Sequence, residues 1–274
     1  MKPRFSIITC TKNSEEYLKY NIDSVASQTF GNYEHIFVDG ESTDRTIEII
    51  EEYKNKFPDK VSLVSRPAKG ISNAMNEGTM VTKGEYLIHL HSDDRLHDKE
   101  VLTDVDLFLK QNNCDWIYGK ETRINPSGTI VKTTNRSKCS RFSSRSFLGK
   151  YLLKFHSSIN HQSVFIKRQV FEQYGYFDES IKCPMDYDFF LRIRNKTRWM
   201  FFDRLVDVFV MHGQNWSLAP ENAFENSVET YLVQDKYLNI IEYPIKYLID
   251  LIILIIGANH FSVRVKKEAR LRRK

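Results

Sequence analysis

Two adjacent carboxylates, Asp93 and Asp94, come just after the apolar run Tyr86 to Leu90 in the stretch "EYLIHLHSDDRL". Hard divalent cations such as Mg2+ or Mn2+ take oxygen ligands, commonly one or two carboxylates with water and substrate phosphates completing the shell. A pair of aspartates at a strand exit suits that chemistry. A local reading stands beside it, since aspartates also cap helices and either residue could start the next turn. Another acidic residue, Asp39, leaves the apolar run "EHIFV" and opens the polar turn "DGESTDRT". There a carboxylate can accept hydrogen bonds from a ribose hydroxyl or a base N–H. Ser42 and Asp44 in that turn read as capping residues rather than ligands, with Ser42 or Thr43 the natural N-cap.

Such residues do chemistry together only if a scaffold converges on them. "RFSIIT", "EHIFV", "VSLV" and "EYLIHL" are short runs rich in β-branched and aromatic residues, and between them lie "SEEYLKYNIDSVASQ", "DRTIEIIEEYKNKF" and "GISNAMNEGTMVTKG", which read as helices. A helix over 98–112 and a strand "DWIYG" continue the alternation. Strands alternating with helices of this length predict an α/β fold with a mostly parallel, Rossmann-like sheet flanked by helices. In open sheets of that kind ligands bind beyond the carboxyl ends of the strands, where Thr11, Asp39 and the Asp93/Asp94 pair all fall.

After Gly119 the pattern changes. "YGKETRINPSGTIVKTT" predicts a hairpin about Asn125 to Gly128, and the Ser/Arg-rich "NRSKCSRFSSRSFLGK" reads as a loop. "QSVFIKRQVFEQYGYFDES" reads as strand, helix and glycine-terminated turn. In "MDYDFFLRIRNK" Phe189, Phe190 and Ile193 share an apolar face while Asp186 leads the helix. Asp188 competes with Asp186 as the functional carboxylate of that helix; its local reading is an exposed first-turn aspartate favoured by the helix dipole. We expect one domain over 1–218, with a nucleotide-side half (1–119) and an acceptor-side half (120–218), and a C-terminal helical extension over 219–274.

Composition excludes several classes. With 41% hydrophobic residues the 274-residue chain has ample material for a core, so global disorder is not expected. Four scattered cysteines without a CxxC pair argue against a zinc knuckle or disulfide framework and for a reducing compartment. "MKPRFSII" carries no apolar stretch of signal-peptide length before "TKNSEE", so export is not expected. The net charge of +5 sits in the tail: Arg264 to Lys274 holds seven basic residues against Glu268, which leaves the rest of the chain near −1. A nucleic-acid-binding body is therefore not indicated. The apolar stretch "YPIKYLIDLIILIIGAN" is interrupted by Lys246 and Asp250 and is too short to span a bilayer. Its helical apolar spacing followed by a basic tail suits a helix lying on an anionic membrane surface; a core-packing or dimerising helix is the other reading.

Several of these motifs occur together. "SIITCTKN", "EHIFVDGESTDRT", "KGISNAMNEG", "GEYLIHLHSDD", "NHQSVFIKR", "YGYFDESI" and "MDYDFFLRI" follow one another in the order and at about the spacing of family-two glycosyltransferases of the GT-A fold. Over residues 3–215 the chain resembles the bacterial members that build surface polysaccharides.

The resemblance implies an inverting, metal-dependent transfer of a sugar from a nucleotide-diphosphate donor, expected to be a UDP-sugar. The implied acceptor is a growing, lipid-linked glycan at the cytoplasmic face of the membrane. By position, Thr11 lines the nucleotide pocket and Asp39 contacts base or ribose. Ser92, Asp93 and Asp94 match the metal motif, with Asp93 toward the ribose or metal and Asp94 coordinating Mn2+ or Mg2+. Asp186 matches the catalytic base. The chain departs from the related pattern "DKGIYDAMN" at Ala68 and Asn73, which replace acidic residues. Lys69 and Gly70 remain as phosphate-side or base-side contacts, although Gly70 could serve only the turn. His161 falls on the acceptor side or simply opens a strand, and His212 is a candidate distal metal or phosphate contact. His89 and His91 are expected to face neighbouring side chains. Nucleotidyl transfer and non-catalytic nucleotide-sugar binding are the alternatives, the first weakened because "TCTKNSEE" lacks the glycines of a phosphate loop.

Overall fold

The computed structural model describes residues 2–133, 143–144, 147–155, 159–212, 215 and 219–248. Part of the stretch 135–162, which the sequence suggests for acceptor recognition, lies outside the described residues (135–142, 145–146 and 156–158), as do the apolar run Leu251 to Ile256 and the basic tail.

The first half alternates as the sequence predicts: β1 (Phe5–Thr11), α1 (Leu18–Ala26), β2 (Tyr33–Asp39), α2 (Thr46–Lys56), β3 (Val61–Ser65), α3 (Ile71–Val81) and β4 (Tyr86–His89). The four strands pair in parallel in the order β3, β2, β1, β4. Nearly every residue of β1 and β2 is buried, the signature of a parallel strand covered on both faces. Helix α3 seats directly on this sheet through Gly78. A Cβ there would lie 2.4 Å from Ile8 Cγ2 and 3.1 Å from Val38 Cγ2, so only glycine allows the approach.

The second half comprises β5 (Arg95–Leu96), α4 (Val101–Asn112), β6 (Trp116–Ile124), β7 (Ile130–Thr133), α5 (Phe147–Leu152), β8 (Val164–Lys167), α6 (Arg168–Tyr174), α7 (Met185–Ile193), β9 (Trp199–Val210) and α8 (Ala223–Asp235). Its strands extend the same sheet in the order β4, β8, β6, β9, β5, with β7 paired to β6. The sheet is thus mixed rather than mostly parallel: β8 runs antiparallel to both β4 and β6, and β5 antiparallel to β9. Strand β6 continues unbroken past residue 119. The hairpin turn forms as predicted, with Gly128 at φ +82° donating its N–H to the Asn125 carbonyl.

Aromatic packing holds this half. Trp116 stacks between Phe190 and Trp199, with ring centroids 5.3 and 5.0 Å away, and Phe171 stacks on Phe189 at 4.6 Å. Phe189, Phe190 and Ile193 of α7 are buried, as the apolar spacing predicts. Each such side chain contributes about 1.5–3 kcal/mol by burial, which fixes the helix that carries Asp186. Asp188 does not match its expectation. It is buried, bonded to Arg192 at 2.9 Å and to the Tyr237 hydroxyl at 3.1 Å, because α7 is covered by the chain after α8 instead of facing solvent.

Beyond α8 a further helical segment covers 243–248. It is tied down by a Glu242 to Lys154 ion pair at 2.7 Å, yet Phe224, Ile240 and Ile241 are 78% or more exposed. No helix of the described residues is long and apolar enough to cross a membrane.

Candidate active site

Strands β1 and β2 end side by side, with Thr11 paired to Asp39 in register. The Asp39 carboxylate is fully buried and accepts from Thr11 Oγ1 at 2.7 Å, from Ser42 Oγ at 2.6 Å and from the Ser42 N–H at 2.8 Å. Ser42 therefore serves Asp39, and Asp44 accepts the Thr46 N–H at the start of α2. These strand ends line a cavity of about 240 Å3 together with Lys12, Arg66, Ala68, Lys69, Gly70 and Glu77. Gly70 has φ +103°, a left-handed backbone that glycine adopts without strain, so it shapes the turn before α3 as well as lining the cavity.

A second cavity of about 990 Å3 adjoins the first, sharing Cys10, Lys12, Lys69, Gly70 and Ile71 with it. Ser92, Asp93, His91, His161 and Asn215 line the larger space, along with Glu179 and Lys182. Asp93 Oδ2 lies 2.7 Å from His212 Nε2 and accepts from Asn215 Nδ2 at 3.1 Å. His212 is held by a parallel stack on Tyr17, centroids 4.7 Å apart, and by the Asn215 side chain on its backbone N–H at 2.6 Å. An oxygen and a nitrogen donor thus meet from positions 119 apart, Asp93 lining the cavity and His212 behind it.

Asp94 corrects its expectation. Its side chain is fully buried and away from both cavities, with Oδ1 facing the Val210 N–H at 3.4 Å and Oδ2 without a hydrogen-bond partner. The cause is β5: pairing of Arg95 with Val208 turns Asp94 inward beneath β9. Burial, then the nearby carboxylates of Asp93, Asp207 and Glu121, push its carboxyl well above the usual carboxylate range. Its side chain thus lines neither cavity, whereas that of Asp93 lines the larger one.

Behind His161, Asp186 opens α7, with Oδ1 accepting the Tyr187 N–H at 2.7 Å and Oδ2 lying 3.1 Å from His161 Nδ1. His161 Nε2 in turn lies 2.7 Å from His91 Nε2, the two rings meeting edge to face. His161 is fixed at the start of a single 3-10 turn in which Ser163 bonds back to the Asn160 carbonyl. The expectation for His89 is met: it is buried, packs edge-on to Phe171 and Phe177 and bonds Thr79 Oγ1 at 2.9 Å, and burial pushes its imidazole down to about 3. His91 meets a neighbouring side chain as expected, yet it also faces the cavity. Burial, with His161 adding, pushes it down to about 4.

The structure brings together every expected site residue except Asp94: Thr11, Asp39, Lys69 and Gly70 at the small cavity, Ser92, Asp93 and His161 at the large one, His212 behind Asp93 and Asp186 behind His161. It adds three that sequence reasoning missed: His91, Glu179 and Lys182. Glu179 accepts from Asn73 at 3.1 Å and from Asn76 at 2.9 Å, a contact across more than a hundred positions that no local pattern announces.

The profile of the family described as glycosyl transferase family 2 matches residues 6–175. A PGL/p-HBAD biosynthesis glycosyltransferase of Mycobacterium bovis is 30% identical over 191 residues, which is 69% of each chain. Among solved structures, S. aureus TarS 1-349 in complex with UDP-GlcNAc superposes with a TM-score of 0.67 at 24% identity, over 84% of this chain and 66% of that one. The mannosyltransferase PcManGT from Pyrobaculum calidifontis, in complex with GDP-Man and Mn2+, gives 0.63 at 16%, over 87% and 66%. At those identities the two structures establish a shared fold, the GT-A type. The family match covers well over half of the chain and selects glycosyl over nucleotidyl transfer. This chain belongs to glycosyl transferase family 2.

Proposed function

We propose that the protein transfers a sugar, with inversion, from a UDP-sugar to a growing glycan of a bacterial surface polysaccharide, at the inner face of the membrane. One observation carries this reading: two adjoining cavities at the strand ends, the larger lined by Asp93, which His212 contacts, and by His161, which Asp186 contacts. The small cavity suits a nucleoside. Thr11 and Ser42 hold Asp39 so that the turn it anchors forms one wall, and Lys69 supplies positive charge between base and diphosphate.

The residues fit a divalent cation bridged to substrate. Asp93 and His212 already approach each other, and no third His, Cys, Asp or Glu completes a cluster among the described residues. A bound cation would take its remaining ligands from substrate and water, as Mg2+ and Mn2+ commonly do. A bound cation would supply Lewis-acid stabilisation of the charge that grows on the departing diphosphate. Asp93 and His212 would orient it, and Asn215 would hold Asp93. Asp186, behind the cavity-lining His161, would supply the base that an acceptor hydroxyl needs on the face of the sugar opposite the leaving group. Attack from that side inverts the anomeric centre. The solved relative bound to UDP-GlcNAc supports a UDP donor, and the one bound to GDP-Man and Mn2+ supports a cation.

The exposed Phe224, Ile240, Ile241 and Leu248, ahead of the basic tail, support peripheral contact with an anionic membrane, and with it a lipid-linked acceptor.

A panel of nucleotide sugars, incubated with the protein with and without Mn2+ and read by mass spectrometry for nucleoside diphosphate release, tests the reading. UDP release that depends on Mn2+ is expected; inertness toward the whole panel sinks it. Sedimentation with anionic vesicles tests the membrane contact, and a chain truncated after 242 that also carries Phe224→Ser, Ile240→Ser and Ile241→Ser and still sediments equally well overturns it.

A further inference from the structure

We propose that Tyr17 is a positioning residue for the divalent cation: its ring sets the plane of the His212 imidazole and so the direction in which Nε2 points. The inference rests on the cation role proposed for Asp93 and His212 and goes beyond it. The Tyr17 and His212 rings stack with centroids 4.7 Å apart and planes 11° from parallel. Tyr17 also packs against Ile124, Val208 and Val210, at the ends of β6 and β9. One side chain thus touches both the end of the sheet and the histidine two positions beyond it.

The ring plane matters because an imidazole nitrogen meets a cation along a lone pair that lies in that plane. Turning the ring moves the lone pair off the site even where the backbone stays put, and the groups that orient a ligating histidine therefore govern affinity. Asn215 holds the edge of the His212 ring: its Oδ1 accepts the His212 N–H at 2.6 Å, and its Nδ2 lies 3.1 Å from both His212 Nε2 and Asp93 Oδ2. Tyr17 holds the face. Together they leave Nε2 2.7 Å from the Asp93 carboxylate.

The turn that carries Tyr17 also reaches the segment of the other donor. The Tyr17 N–H bonds the Ser14 carbonyl at 3.3 Å, and Ser92 Oγ, next to Asp93, donates to Ser14 Oγ at 3.0 Å. The Ser14 N–H in turn bonds Thr46 Oγ1 at 2.7 Å, at the start of α2. Asp93 and His212 come from loops far apart in sequence, and the turn directly after β1 contacts both. Tyr17 therefore belongs to the donor half by sequence but acts on the cation side, which it ties to the strand that ends on Thr11.

The test uses the full chain with UDP and follows protein-bound Mn2+ by electron paramagnetic resonance, which reads the cation and not turnover. Tyr17→Leu keeps an apolar side chain against Ile124, Val208 and Val210 but removes the stack. It should weaken Mn2+ binding by about 10-fold to 100-fold, the usual effect of losing a group that orients a ligand. Tyr17→Phe should stay within about threefold of wild type, because a phenyl ring stacks as a phenol does. UDP binding without metal, read by calorimetry, should be unchanged in both. His212→Ala should itself weaken Mn2+ binding, and adding Tyr17→Leu to it should cost nothing further, since the effect of Tyr17 runs through the histidine. Mn2+ binding by Tyr17→Leu at the wild-type level would overturn the proposal, as would losses for Tyr17→Leu and His212→Ala that add in full. So would a Tyr17→Phe protein as weak as Tyr17→Leu. If His212→Ala binds Mn2+ as wild type does, or if wild type takes up no Mn2+ with UDP, the cation reading fails first, and the proposal with it.

Discussion

The two halves of the sheet build their share of the site in different ways. At the ends of β1 and β2 the polar side chains bond mostly to each other and to the adjoining turns, so that Thr11, Asp39 and Ser42 form a closed set before any ligand arrives. Beyond β4 the polar contacts reach across elements far apart in sequence: Asp93 to His212, His91 to His161 and His161 to Asp186. The first arrangement is a preformed seat built on two adjacent parallel strands in register. The second exists only if aromatic packing holds α7, β8 and β9 in place. Variants in the first half should therefore act on donor affinity, and variants in the second on turnover.

The largest effect tests the packing half of that contrast. Phe189→Ala removes a fully buried ring stacked on Phe171 and should cost about 3–5 kcal/mol in chemical denaturation. Turnover should fall beyond the loss of folded protein, while UDP affinity of the folded fraction changes little. A variant that weakens UDP binding instead would break the division. Next comes the aspartate pair. Asp93→Ala should lower turnover by about 100-fold to 1,000-fold and abolish the response to Mn2+ titration. Asp94→Asn, which mimics the neutral acid beneath β9, should stay within about tenfold of wild type. The reverse ranking would return the metal role to Asp94. In the donor half, Thr11→Val deletes a buried hydrogen bond to a carboxylate, worth about 1.5–3 kcal/mol. Calorimetry should find weaker UDP binding with turnover at saturating donor nearly unchanged.

The smallest predicted effect concerns Asp207, fully buried with neither oxygen hydrogen-bonded. Burial, with Glu121 adding, holds its carboxyl well above the usual range. The folded state then binds a proton that the unfolded state releases near pH 4, so stability falls as pH rises from there toward the folded-state value. Asp207→Asn should remove that slope and raise stability at pH 8 by about 1–3 kcal/mol, with little change at pH 4. Melting temperatures at the two values check the sign, and equal shifts at both would refute it.

Much of this was legible beforehand because it depends on periods of two and about four residues. Alternating apolar runs gave the strand and helix order of the first half. The hairpin about Asn125 to Gly128 and the apolar face of α7 also came through, since turn chemistry and helical spacing act over a few positions. Asp188 was misread because an i to i+4 pattern cannot report that another segment, carrying Tyr237, covers the helix.

What the sequence by itself determined is therefore the alternation, the polar strand ends, the family and the candidate site residues as a set. Which of two adjacent aspartates meets the cavity was decided only by tertiary structure, because the two-residue strand β5 pairs with β9 and buries Asp94 while leaving Asp93 to His212. The same holds for His91, Glu179 and the partner of Asp186. Their contacts join residues separated by 25 to 106 positions, and such contacts form only when packing of distant segments offsets the entropy of closing the loops between them.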